Sequence, residues 1–213
     1  MLGLTLPSLI TRIVTLVIAF TVHEFAHAWS ADQLGDETPR LNGRLTLNPL
    51  AHLDPLGSLM LVVSGFGWAK PVPINPYALR RRTPAGTMLV SIAGPFSNLL
   101  MAILAALPFR AGWLDLLATG GRILPSASDF LVQFIFINLI LFFFNLIPLA
   151  PLDGEKVAEY LLPPRGQDIL YRFRPYGPFI LIGLLFLGTL GGLNVLGTLV
   201  AGPAWRVLSL LVS

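Results

Sequence analysis

The chain has 213 residues, of which 54% are hydrophobic and only 12% charged. A soluble domain carries about a quarter charged residues, so that class is excluded. The small excess of base over acid, 14 against 11, gives no basic surface for nucleic acid, and the lack of cysteine rules out disulfides and thiolate metal sites.

Residues 85–109, 130–152 and 175–205 contain no charged residue, and residues 1–22 contain only Arg12. A helix needs about 20 apolar residues to cross a bilayer. The sequence therefore predicts a single-domain, all-α polytopic membrane protein with about four transmembrane helices. Span one is expected at 7–31, with Pro7 in its first turn, where a missing N–H costs nothing. It lacks the basic start and small-residue cleavage site of a signal peptide and reads as a retained span.

Between spans one and two, residues 43–76 form a different kind of segment. Its run "LGSLMLVVSGFGW" is apolar but too short to cross as a helix, and glycine and proline bound it on both sides. Non-helical backbone at membrane depth survives only when buried in protein or lining a wet cavity. A re-entrant element, with a β-hairpin as one form, is expected there; a short surface helix is the alternative. Span two follows at 85–108, span three at 127–148 and span four at 178–192. The glycine-interrupted "LGTLGGLN" then leads to a last apolar piece, 195–213, which reads as a kinked continuation, a hairpin partner or a helix lying at the interface, the last being expected.

The bases set an orientation. Ten of them (Arg40, Arg44, Lys70, Arg80, Arg81, Arg82, Lys156, Arg165, Arg172, Arg174) fall in 32–84 and 149–176. The remaining four are Arg12, Arg110, Arg122 and Arg206. The bias of basic loops toward the cytoplasm predicts an outside N-terminus and cytoplasmic placement of those two segments, in the cell membrane.

Span one carries "HEFAH", residues 23–27, near its end. On a helix, His23 and His27 at i and i+4 share one face, so both imidazoles can hold one ion. Glu24 completes the H-E-x-x-H pattern, in which the glutamate is general base beside zinc. Three polar side chains in a span are costly unless paired, and metal coordination pairs them. The bland reading, histidines hydrogen-bonded to neighbouring spans, does not explain the spacing. A catalytic zinc takes three protein ligands. Asp153, just beyond span three in "NLIPLAPLDG", lies at the same cytoplasmic depth as His23 and His27 and is the candidate third ligand; alone it would read as a helix cap.

"HEFAH", "NLIPLAPLDG", "LNPLAHLDPLGS", "GWAKPVPIN" and "AGPFSN" together resemble the site-2 protease family of intramembrane zinc metalloproteases, in its short form without an inserted PDZ domain. The resemblance covers most of residues 7 to about 190. It implies one zinc per chain on His23, His27 and Asp153, with Glu24 activating water. It further implies substrate contacts from Asn145 and Asn98, for which interhelical hydrogen bonding is the alternative, and a gate or oxyanion contact from His52, which reads equally as a loop residue. Glu155 departs from the family's usual second glycine after the aspartate. The implied reaction is hydrolysis of peptide bonds in or near transmembrane segments, with a membrane-spanning protein as substrate and the bilayer as surroundings. A transporter or channel, or a non-proteolytic scaffold with a zinc site, would be the alternatives. The first predicts more ionisable residues in the later spans, and the second needs no Glu24. Nothing in the sequence names the substrate or sets an oligomeric state.

Overall fold

The computed structural model describes residues 5–57, 60, 67–116, 124–190 and 195–213, with backbone alone for 185–190. Three described helices are long and apolar enough to cross a membrane: α1 (Leu6–Gln33), α3 (Gly86–Arg110) and α4 (Ala127–Asn145). A short basic helix, α2 (Pro76–Arg82), precedes α3. After α4 come α5 (Asp153–Leu161), α6 (Pro164–Phe173), α7 (Gly177–Leu190) and α8 (Gly202–Val212), the last preceded by a π-helical turn at Gly197–Ala201.

Local chemistry sets the ends of these helices. Thr5 caps α1, its hydroxyl accepting from the Ser8 N–H at 3.4 Å, and Pro7 occupies the first turn. The helix closes in a paired reverse bond: Asp36 N donates to Ala31 O and Gly35 N to Asp32 O, both at 3.0 Å. This geometry requires the left-handed Gly35, at φ 86°. Ser126 caps α4 by accepting from Asp129 N at 2.9 Å. That helix stops at Asn145, three residues short of the expected 148. The ring of Pro148 cannot sit behind the Phe144 carbonyl and has no N–H to give, so the chain leaves the helix before it.

The bundle is centred on α3, which packs against both α1 and α4. Ala102 and Ala106 of α3 meet Ile135 and Leu139 of α4, and Ala204 and Leu208 of α8 complete this cluster. Trp205 also packs against Phe136, the two rings tilted by 36° with centroids 4.4 Å apart. The C-terminal piece is thus helical as expected, and Ala204 and Leu208 pack it against α3 and α4. A second cluster, Ala31, Leu79 and Val90, seats α2 beneath α1 and α3.

Two expectations meet a coarser answer. The helix at the fourth expected span, α7, is described over 14 residues, Gly177–Leu190; residues 191–194 of the expected range lie outside the described residues. Within 43–76 the described residues form no strand. They hold a single antiparallel bridge, Leu53 to Ala69, a 3-10 turn at Pro49–Ala51 and helical residues at 55–57 and 60, the conformation of the short-helix alternative. Most of the expected hairpin, residues 58–59 and 61–66, is likewise outside the described residues.

Candidate metal centre and active site

His23, Glu24 and His27 stand on consecutive turns of α1 and are buried, at 6%, 8% and 8% exposure. Asp153 reaches them from the first residue of α5. The His23 and His27 Nε2 atoms are 3.1 Å apart, and Asp153 Oδ2 lies 3.2 Å from the first and 3.3 Å from the second.

The hydrogen bonds behind the rings fix their tautomers. His27 Nδ1 faces the Val90 carbonyl at 2.7 Å, which can only accept, so that nitrogen carries the proton. His23 Nδ1 meets Asn98 Oδ1 at 2.6 Å. The orientation of that amide follows from a relay: Asn138 Nδ2 donates to the Phe134 carbonyl, and Asn98 Nδ2 donates to Asn138 Oδ1, both at 2.9 Å. Asn98 therefore offers an acceptor, and His23 Nδ1 is also the protonated nitrogen. Both Nε2 atoms then carry lone pairs, aimed at each other and at a carboxylate oxygen with no proton between them.

Three converging acceptors in a buried site demand a cation. Their spacing fits one, since ligands about 2.0–2.1 Å from a tetrahedral zinc stand about 3.3 Å from each other. Two nitrogens and one oxygen, with the fourth side left open toward a cavity, are the donor set of a catalytic zinc rather than a structural one. These three residues form a group able to hold a metal ion.

Gly94 of α3 makes this approach possible. A Cβ there would fall 2.6 Å from His23 Nε2 and collide with the His27 ring. The glycine lets α3 lie directly against the imidazoles, which brings Val90 and Asn98, one turn to either side, within reach of the two Nδ1 atoms.

Glu24 is held separately. Its Oε2 accepts from Val72 N at 3.2 Å and lies 3.9 Å from Arg44 Nη2. Arg44 is itself buried; it donates to the Pro71 carbonyl at 3.0 Å and to the Lys70 carbonyl. Burial pushes this guanidinium down from its ordinary value, and Glu24 opposes that shift. One buried cation thereby ties the candidate base to the extended segment beside it.

These groups open into a cavity of about 900 Å³. It runs beside α1 from Ser8 and Arg12 to the metal group, a rise of about 28 Å at 1.5 Å per residue. Phe136, Ile140, Leu181 and Val200 contribute to its apolar walls, and Ala69, Pro71 and Val72 border it near Glu24.

The other expected site residues divide. Asn145 lines the cavity; its Nδ2 donates to the Leu141 carbonyl at 3.0 Å. Asn98 is not among the described residues that line the cavity: it is fully buried with its oxygen on His23 and its amide on Asn138. His52 is also fully buried, and its Nε2 donates to the Thr46 carbonyl at 2.7 Å. It pins its own loop and is not among the described residues that line the cavity. Sequence reasoning passed over Asn138, Gly94 and Arg44. Asn138 was detectable as a polar residue inside an apolar span; the other two carry no signal without the fold.

A paired-histidine and carboxylate metal centre with an adjacent glutamate, sunk in a helical bundle and facing an elongated apolar cavity, defines a membrane-embedded metallohydrolase. Residues 111–187, the portion that includes Asp153, match peptidase family M50. YwhC of Bacillus subtilis, which bears a zinc-metalloprotease name, is 43% identical over 182 residues, covering 84% of this chain and 81% of the relative. Rip2 of Mycolicibacterium smegmatis and Rip2 of Mycobacterium tuberculosis, named in the same way, are each 31% identical. The matches cover 79% and 83% of this chain and 64% and 66% of those proteins, so the chain spans just under two thirds of their length. No solved structure matches it. The chain belongs to peptidase family M50, the site-2 protease family of zinc metalloproteases.

Proposed function

We infer that this chain is a zinc-dependent endopeptidase acting on peptide bonds in or near the transmembrane segments of membrane proteins. The observation that carries this reading is the meeting of three unprotonated ligand atoms with a neighbouring glutamate at one end of a cavity as long as a bilayer is thick. In this reading the whole described chain serves as one catalytic domain, with His23, His27 and Asp153 as the zinc ligands. Zinc held there supplies Lewis acidity toward the scissile carbonyl and lowers the pKa of a water in the site toward 7.

The protein's own groups do the rest. Glu24 takes the proton of the attacking water and returns it to the leaving amine, and the Val72 N–H and Arg44 keep its carboxylate oriented for both transfers. Asn145, on the cavity wall, offers its amide oxygen to a substrate backbone N–H. The apolar walls accept a membrane-spanning segment without desolvation cost, while a segment in helical form hides its carbonyls and must unwind before attack. The extended backbone around Ala69–Val72, with the glycine-bounded run before it, supports strand pairing as the means of holding the unwound stretch. The distribution of basic residues supports an outside N-terminus and a metal site near the cytoplasmic face of the cell membrane.

The test is Glu24→Gln assayed against a single-span membrane substrate in proteoliposomes. Retained zinc with cleavage abolished is the expected result; cleavage at the wild-type rate would refute the role given to Glu24. A proline scan of residues 57–67 is expected to stop cleavage with zinc content unchanged, and undiminished cleavage would remove strand pairing from the account.

A further inference from the structure

Asp153 is the ligand that α1 does not carry, and it follows directly on the proline-rich turn at residues 146–152. Its helix, α5, has nine residues, too few to hold a fixed position without tertiary support. Close backbone packing provides part of that support: a Cβ at Gly154 would stand 2.5 Å from the Ile147 carbonyl oxygen. The remainder comes from one short piece of chain further on. Gly177 lies so close to the turn that its Cβ would collide with the Ala150 carbonyl, 2.9 Å from its carbon. Three residues earlier, Arg174 pairs with Glu155 and donates from Nη2 to Glu159 Oε2 at 2.6 Å. The segment thus grips the backbone before Asp153 and the helix after it.

The grip on Glu155 has an electrostatic reason. Glu155 is 3% exposed and two residues from Asp153, so an unpaired carboxylate there would repel the ligand in a medium that screens charge weakly. Arg174 neutralises it, aided by Lys156 Nζ at 3.1 Å from Glu155 Oε2.

We propose that Arg174–Gly177 is a clamp that keeps Asp153 in metal-ligating range, with Arg174 a positioning residue acting through Glu155 and Gly177 acting through Ala150. The proposal rests on the zinc reading above and deepens it. Its test is zinc affinity, measured by competition with a chromophoric chelator on purified protein and paired with thermal melting of each metal-free variant. Arg174→Gln and Gly177→Ala are each expected to weaken zinc binding about tenfold, the scale seen when a ligand's supporting partner is lost. Arg174→Lys, which keeps the charge, is expected to recover most of the affinity. In cleavage assays Arg174→Gln should lower kcat and leave KM unchanged. Asp153→Asn separates the two claims. If it loses zinc while Arg174→Gln and Gly177→Ala bind as wild type does, the clamp is refuted and the ligand set stands. If Asp153→Asn itself retains wild-type affinity, the ligand reading fails and the clamp with it. Should Arg174→Gln not fold, Gly177→Ala decides: unchanged zinc affinity overturns the proposal.

Discussion

His23 donates from Nδ1 to Asn98 Oδ1 across 2.6 Å, and this bond decides which nitrogen of the ring faces His27 and Asp153. Asn98 in turn is held by Asn138, so a relay of two amides from α3 and α4 sets the tautomer of a residue on α1. Such partners fix ring orientation and raise ligand basicity. Asn98→Leu keeps the side-chain volume and removes the acceptor. Zinc affinity should fall by about 10- to 100-fold, as read by chelator competition, and Asn138→Leu should produce a smaller loss in the same direction.

Gly94 makes a steric prediction. With its Cβ placed 2.6 Å from His23 Nε2, Gly94→Ala must displace the imidazoles or push α3 away from α1. Either movement separates Nδ1 from Asn98 and Val90. Metal analysis of purified Gly94→Ala should find little zinc, although the helix content by circular dichroism should match wild type.

Arg44 links the candidate base to the segment that borders the cavity. Arg44→Met preserves much of the side-chain bulk but strips donors from the Lys70 and Pro71 carbonyls. Unpartnered buried acceptors make the expected loss of stability on the order of 3 kcal/mol, measurable by denaturant unfolding in detergent micelles. Because Glu24 loses its neighbour in the same step, kcat should fall more than the stability loss alone explains.

The cluster around Glu159 makes stability depend on pH. Burial alone would raise this carboxyl, but the Tyr171 hydroxyl, Arg174 and Lys156 outweigh it and hold the group below its ordinary 4.5. A carboxylate whose folded pKa is depressed adds stability that is present above the unfolded value and lost as pH falls through the folded one. Below pH 4.5 the wild type should therefore lose thermal stability faster than Glu159→Gln. Melting curves of both proteins from neutral pH downward check this, and parallel curves would deny the cluster any such contribution.

Much of the centre was legible because helices impose arithmetic. A spacing of four positions between two histidines put both rings on one face, and matching membrane depth pointed from them to Asp153. The apolar runs located α1, α3 and α4 to within a few residues. What the sequence left open depended on direction rather than spacing. An asparagine inside a span can face a cleft or a neighbouring helix, and only the fold shows Asn98 turned toward His23 while Asn145 lines the cavity. His52 was ambiguous for the same reason, since a loop histidine bonded to its own backbone looks in sequence like one poised over a substrate. The end of α4 moved because Pro148 acts on residues before it. The C-terminal helix could not be placed from its own pattern, as Ala204 and Leu208 have meaning only beside the alanines of α3.

The most direct test is zinc stoichiometry of the purified protein, compared with its Asp153→Asn and His23→Ala variants. One zinc per wild-type chain, lost from both variants after mild chelation that leaves the wild type loaded, is the expected result. Zinc retained at one per chain by both variants would contradict a centre shared between α1 and α5.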